Sequence, residues 1–332
     1  MSRKVLFFLL VACVLGAGTT TAVRADDLGS VLSKLAGDNA KNYVGPLMKG
    51  WGADLNSAWF HSADVHDLLG FDIQVKVGLA QLNDADKTYQ FQMPSTISYT
   101  FAGIPRTFNS GVDYPATVTA PTAVGAADPV VVSTYKTANT FNQEIQIFTH
   151  PQGFNLPAAP LIMPQAALGL PFGIEAMVRY LPSYTTAVGK VSFLGYGARL
   201  GINRLIPVPL PIDIAIHFAT QKLSFKDSTD AELISASATA YGIEISKSIL
   251  FLTLYGGFQL ENSSFNIGPY TAKISTGSST TVVNVPQFTV DGANTSRILL
   301  GLRLHLLILT LHAEYGIATI NTLSAGVGIS FR

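Results

Sequence analysis

The sequence predicts an all-β protein: a transmembrane antiparallel β-barrel of about 12 strands, with about 10 to 14 compatible, and a short N-terminal helical segment. Three observations predict it. A short apolar leader opens the chain, period-2 alternation dominates after residue 51, and charge is scarce.

The leader, residues 1–25, reads as a signal peptide. Arg3 and Lys4 form a basic start, Val5 to Leu15 is apolar, and Val23-Arg24-Ala25 puts small residues where a signal peptidase reads. Leu10-Val11-Ala12-Cys13 also fits a lipoprotein box, the less favoured reading because the apolar run continues past Cys13. Cys13 is the only cysteine, so disulfide and thiolate chemistry are not expected after cleavage near Ala25.

Charged residues make up 13% of the chain, about half the usual share. Removing Arg3, Lys4 and Arg24 leaves 18 basic against 21 acidic residues, a net of −3. That balance offers no footprint for nucleic acid. After the leader, no run of 18 apolar residues occurs; Leu304 to Leu311 is interrupted by His305 and Thr310. A bilayer-spanning chain without such runs must close into a barrel.

Residues 26–50 carry helical spacing, with Leu28, Val31, Leu32, Leu35 and Ala36, then Tyr43, Val44, Leu47 and Met48. Gly37 and Pro46 should limit this to one or two short helices. A periplasmic lead-in and a plug entering the lumen are both open readings.

The barrel is expected over 51–332, with strands near 52–60, 70–81, 88–101, 172–181, 190–203, 211–225, 231–246, 249–261, 265–275, 293–304, 307–317 and 322–331. The alternation is plain in Phe71, Ile73, Val75, Val77 and Leu79 against Asp72, Gln74, Lys76 and Gly78. Tyr180, Tyr241, Tyr315 and Phe331 sit near the ends of apolar faces, where aromatic girdles form. Residues 102–171 hold 9 of the 17 prolines and read as a long loop. Residues 276–292, rich in Ser and Thr, read as a second. Six expected strands separate the two, so both should lie at one end, opposite the C-terminus.

The final strand places Leu323, Ala325, Val327, Ile329 and Phe331 on one face. This resembles the terminal signal by which outer-membrane barrels meet their assembly machinery, except that Arg332 follows the aromatic. The wider chain resembles an uncharacterised family of bacterial outer-membrane proteins. The resemblance runs through Asn42 to Leu47, Leu55 to His61, Pro164 to Pro171, Arg179 to Pro182 and Gly195 to Pro211. A second likeness, of architecture only, is to long-chain fatty-acid and aromatic-hydrocarbon transporters. The resemblance implies residence in the bacterial outer membrane, with its lipid and the barrel-assembly machinery as partners.

Catalytic signatures are weak. Ser133-Thr134-Tyr135-Lys136 matches Ser-x-x-Lys but lacks its Lys-Thr-Gly companion. Gly195, Gly197 and Gly201 have the wrong spacing for a dinucleotide loop. The six histidines, among them His61, His66, His150 and His305, show no metal spacing. No catalytic residue, cofactor or metal is expected.

Ten groups fall on expected inward faces: Glu175, Arg179, Arg199, Asp213, His217, Glu244, Arg297, Arg303, His312 and Glu314. Charge on a lipid-facing wall costs about 2–4 kcal/mol at mid-depth. Two roles follow for them, a salt-bridge network that fills the barrel or the lining of a permeation path. Passive passage of small molecules, hydrophobic ones included, is the leading functional expectation. A structural or surface-interaction barrel without transport is the alternative.

Overall fold

The computed structural model describes residues 32, 34–101, 103–135, 144–186, 189–206, 210–226, 230–276 and 278–331. The signal-peptide and lipoprotein readings lie outside them.

Ten strands close into one antiparallel barrel: β1 (Phe71–Gln81), β2 (Ala158–Gly169), β3 (Ile174–Thr186), β4 (Gly189–Gly201), β5 (Asp213–Lys226), β6 (Glu232–Ile249), β7 (Leu252–Ile267), β8 (Ser296–Leu306), β9 (Leu309–Ile317) and β10 (Thr322–Phe331). Each pairs with its neighbours in chain order, and β10 returns to β1 with Phe71 opposite Phe331. Closure leaves the terminal strands without a free edge.

The count is therefore ten, not 12. Three expected wall strands are absent and one was hidden. Residues 52–60 continue a helix and its exit. Residues 88–101 alternate, but as two short strands of hairpins outside the barrel. Alternation reports a half-buried sheet, and a hairpin packed on a core has the same period. Only Phe265 to Ile267 of the expected 265–275 strand belongs to the wall. Conversely, Pro160 and Pro164 disguised β2 as loop, although it pairs with β1 along its whole length.

Six strands separate the two inserts, 82–157 and 268–295, and three follow the second. Both inserts thus sit at one end and the C-terminus at the other. They join each other through Thr100 N–H, which donates to Ser278 Oγ at 2.6 Å. Together they form one cap.

The wall changes character along its length. Near the C-terminal end it is apolar outside and polar inside. Ile73, Val75, Ile216, Phe218, Leu300 and Leu302 are exposed, while Asp72, Gln74, Lys76, His217 and Gln221 are buried. Toward the cap the pattern inverts. Leu223, Phe225, Ile234, Phe265 and Ile267 are buried inside, and Lys222, Ser237 and Asn262 are exposed outside. At this change the residue types swap faces; in the same half β4 shifts register against β3 between Val191 and Phe193, and β5 against β6 between Phe225 and Lys226.

Helix α1 (Gly37–Leu55) fills the apolar half. It runs through Pro46, which was expected to end it. Burial of Tyr43, Val44, Leu47, Met48, Trp51 and Leu55, about 1.5–3 kcal/mol for each large side chain, outweighs the roughly 3 kcal/mol that an interior proline costs. Close approach requires glycine: a Cβ on Gly50 would stand 2.7 Å from Ala159 Cβ of β2.

Candidate functional site

After Leu55 the chain leaves helical geometry and crosses the polar half of the lumen. It emerges beside the end of β10, where His66 Nε2 meets Ser330 Oγ at 3.0 Å. Residues 56–66 belong to no strand, so their buried peptide groups need partners from side chains. The wall supplies them. Arg297 donates to the carbonyl of Ala53 at 2.6 Å, Arg179 to those of Leu55 and Ser57 at 3.1 and 2.8 Å, and Gln259 to that of Asn56 at 2.9 Å. Lys76 donates to Ala58 O at 2.7 Å and Gln165 to Trp59 O at 2.8 Å. Arg199 takes the carbonyl of Ser62. In the opposite sense, the N–H groups of Ala58 and His66 donate to Glu314 and Glu175 at 3.1 and 3.0 Å.

The charges are paired as well as gripping. Arg199 bridges Glu175 at 2.8 Å and Glu244 at 3.1 Å. His66 Nδ1 lies 2.7 Å from Glu175, and His217 Nδ1 lies 3.1 Å from Glu244. Arg297 meets Glu261 at 2.9 Å and donates to Thr322 at 2.7 Å. Arg303 donates to Thr253 at 3.0 Å and approaches His61, which sits 3.1 Å from Asp72. Buried ions keep their charge only with such company.

Nine of the ten inward charged groups named from the sequence are buried: Glu175, Arg179, Arg199, His217, Glu244, Arg297, Arg303, His312 and Glu314. His312 stacks on His61 with ring centroids 5.1 Å apart. Asp213 is half-buried at the rim and accepts from Ser246 Oγ at 3.3 Å. The sequence reading missed the threaded segment's own groups, His61 and His66, and the wall residues Asp72, Lys76, Gln165, Gln221, Gln259 and Glu261. For Asp72 and Lys76 the signal existed, since both alternate with the apolar face of β1. Of the five terminal-strand residues, Leu323, Ala325, Ile329 and Phe331 are exposed and Val327 is half-buried.

The remaining motifs stay apart. Ser133 ends a short cap strand (Val130–Ser133), and Lys136 lies outside the described residues. Gly195 faces inward on β4, where a Cβ would come 3.3 Å from the Trp59 ring. Among the described residues no three His, Cys, Asp or Glu form a metal-holding group.

The cap carries an open recess of about 760 Å³ lined by Tyr99, Phe148, His150 and Gln152 among others. His150 is buried between Tyr43, Tyr89 and Phe91, and its Nε2 lies 2.9 Å from the Tyr89 hydroxyl. Burial pushes its imidazole down to about 4, against a weaker upward pull from the Pro151 carbonyl.

Comparison with known proteins gives a family and a fold. A family of unknown function (DUF6588) matches residues 1–331. No curated protein matches. Among solved structures, the attachment invasion locus protein Ail of Yersinia pestis is similar at 7% identity, covering 80% of this chain and 98% of that one, with a TM-score of 0.27. The transport unit of the autotransporter AIDA-I from Escherichia coli is similar at 13% identity, covering 86% and 99%, with a TM-score of 0.27. OmpT, an outer membrane protein of Vibrio cholerae, is similar at 9% identity, covering 79% and 98%, with a TM-score of 0.23. Overlays this loose leave the barrel resting on the chain's own strand register.

Proposed function

The chain belongs to a family of unknown function (DUF6588), and from its geometry we propose that it is an outer-membrane barrel sealed by its own N-terminal segment, serving to hold and display the cap. The exposed apolar belt supports a bilayer setting. An uncharged outer wall around a polar interior is the arrangement that lipid favours, and in water it would be an unusually large apolar patch. The cap end then faces outward, and the C-terminus faces the periplasm. Outer-membrane lipid is the partner of the belt, and the assembly machinery is the partner of β10 during biogenesis.

One observation carries the sealed reading. Six lumen charges that could line a permeation path, Lys76, Glu175, Arg179, Arg199, Arg297 and Glu314, are instead bonded to the main chain of residues 53–66. Constitutive passage would require this segment to leave, stranding Arg179, Lys76 and Glu314 in the wall. No catalytic role is proposed. The recess in the cap is the surface offered to a partner or a small ligand.

Conductance across a planar bilayer tests this. The whole protein should insert and stay closed, with no steady ohmic current. A variant lacking residues 26–66 should conduct if it inserts. Steady current through the intact protein, at a level matching that deletion, would contradict the sealed reading.

A further inference from the structure

Apart from Ala58 in the threaded segment, backbone positions with positive φ divide by the end of the barrel they occupy. On the cap side they are held by Gly37, Gly103, Gly111, Asn155, Asp230 and Gly268, the residue types that take this conformation at least cost. At the opposite end they fall to Gly173 and to Leu69, Phe172, Leu250 and Leu307, the last four with φ of 65°, 65°, 55° and 60°. Leu250 and Leu307 open the two-residue turns that follow Ile249 and Leu306, each of which pairs across its turn with Leu252 or Leu309. Glycine or asparagine usually takes such a place, and a leucine there strains the backbone. Little packing offsets the strain, since Leu69, Phe172, Leu250 and Leu307 are 70, 83, 93 and 94% exposed. What favours these residues is therefore the medium around the turns.

Every connection at this end presents an exposed apolar side chain. Leu69 precedes β1, Phe172 joins β2 to β3, Leu205 joins β4 to β5, Leu250 joins β6 to β7, and Leu307 joins β8 to β9. The rim charges face one another, with Arg204 2.7 Å from Asp67 and 3.7 Å from Asp64. Lys247, on the outer face three residues above Leu250, donates to the carbonyl of Pro211, so its ammonium stands among the turns. The turns are also needed to complete the belt. Outward apolar faces run from Tyr241 to Leu250 on β6, interrupted at Lys247, and from Ile298 to Leu307 on β8. Beyond them toward the cap Ser237 and Ser296 are exposed. Each run advances nine residues. At about 3.3 Å per residue and a tilt of roughly 35–45°, that is a rise of about 21–24 Å, against an apolar band of about 25 Å in such barrels. A belt that stopped short of its turns would not span the hydrocarbon.

We propose that the ring of turns at the C-terminal end is seated in the inner leaflet of the outer membrane, with Leu69, Phe172, Leu250 and Leu307 at the boundary between acyl chains and headgroups and the Lys247 ammonium at the lipid phosphates. Apolar tips beside a cation match the two parts of a phospholipid, and the ring continues the belt. A protein partner would account for the tips but not for the height of the belt. The seating rests on the bilayer setting argued above.

Quenching of a site-attached bimane by doxyl-labelled phosphatidylcholine tests the seating, with the full chain in vesicles of phosphatidylcholine and phosphatidylglycerol. In a Cys13→Ser background, Leu250→Cys and Leu307→Cys report the turns, Ile216→Cys the belt and Val112→Cys the exposed surface of the cap. A doxyl group near the glycerol backbone should quench label at both turns at least as strongly as at Ile216, and one deep in the acyl chain should quench the turns less. Label at Val112 should stay unquenched. Turns as unquenched as Val112 beside a quenched Ile216 would put them in water, open to a periplasmic protein, and overturn the seating alone. An unquenched Ile216 would reject the bilayer setting and the seating with it. Asparagine gives a second reading, because it adopts positive φ more easily than leucine. If the turns stood in water, Leu250→Asn with Leu307→Asn should leave the refolding yield unchanged or raise it. Seated in lipid, the pair should lower the yield in these vesicles several-fold, and an unchanged or raised yield overturns the proposal.

Discussion

Arg179 holds its guanidinium 3.8 Å from the centroid of the Trp59 ring while donating to the carbonyls of Leu55 and Ser57. One wall residue thus grips the threaded segment by a ring and by two peptide groups. It also donates to Gln165 Oε1 at 2.8 Å, across the last paired rung of β2 and β3. Arg179→Leu should strand two buried carbonyls, about 1–3 kcal/mol each, together with the lost cation–π contact. The barrel should still assemble, because its strand ladder is unchanged. Its gel shift on heating should move to lower temperature, and brief channel openings should appear. A variant as closed and as heat-resistant as the parent would show that Arg179 does not secure the segment.

Leu200 and Arg199 are neighbours on β4 that point to opposite faces. Leu200 stands on the belt opposite Ile216, and Arg199 is buried against Glu175 and Glu244. Leu200→Arg should cut assembly into outer membranes, at a cost of about 2–4 kcal/mol near the bilayer midplane. Arg199→Leu should insert but lose stability, by about 3–5 kcal/mol, because two carboxylates lose their cation. Assembly yield and urea resistance of the two variants check this. Normal yield for Leu200→Arg beside failed insertion of Arg199→Leu would invert the facing.

The cap should respond to acid. Burial holds His150 at about 4 in the folded cap, against about 6.5 in an unfolded chain. Between those values the unfolded state binds more protons, so the cap loses stability as pH falls from about 6.5 toward 4. Above about 6.5 the effect is absent. Protease cleavage within residues 82–157 should rise across that window, and His150→Phe should remove the pH dependence. Cleavage that is flat with pH in the parent would count against it.

Phe331 stacks on Phe71 with ring centroids 6.1 Å apart at the join between the first and last strands. Phe331→Ala should slow barrel closure and lower assembly yield several-fold, while Phe331→Tyr, which keeps the ring, should not. Equal yields for all three would leave the terminal aromatic without a role in assembly.

Much of the barrel was legible because period 2 and face type are written residue by residue. Asp72, Gln74 and Lys76 announced their side of β1 through Phe71, Ile73 and Val75. What misled was local chemistry overruled by context. Pro160 and Pro164 argue against a wall strand, and β2 survives because it keeps its ladder with β1 past both of them. Pro46 argues against one continuous helix, and packing inside the barrel overrides it. The partners of the lumen charges could not be read at all. Arg179 meets Leu55 O and Glu314 meets Ala58 N across long stretches of chain, and nothing in spacing marks a main-chain acceptor.

The central claim is that residues 53–66 thread the lumen against the wall, and one pair tests it most directly. Ser57 Oγ on the threaded segment lies 3.2 Å from Ser324 Oγ on β10, both buried. Side chains this close are within reach of a disulfide. Ser57→Cys with Ser324→Cys, in a chain carrying Cys13→Ser, should cross-link nearly completely in native outer membranes under mild oxidation, and either single variant should not. If both single variants assemble and the double variant stays fully reduced, the segment does not occupy the lumen as described.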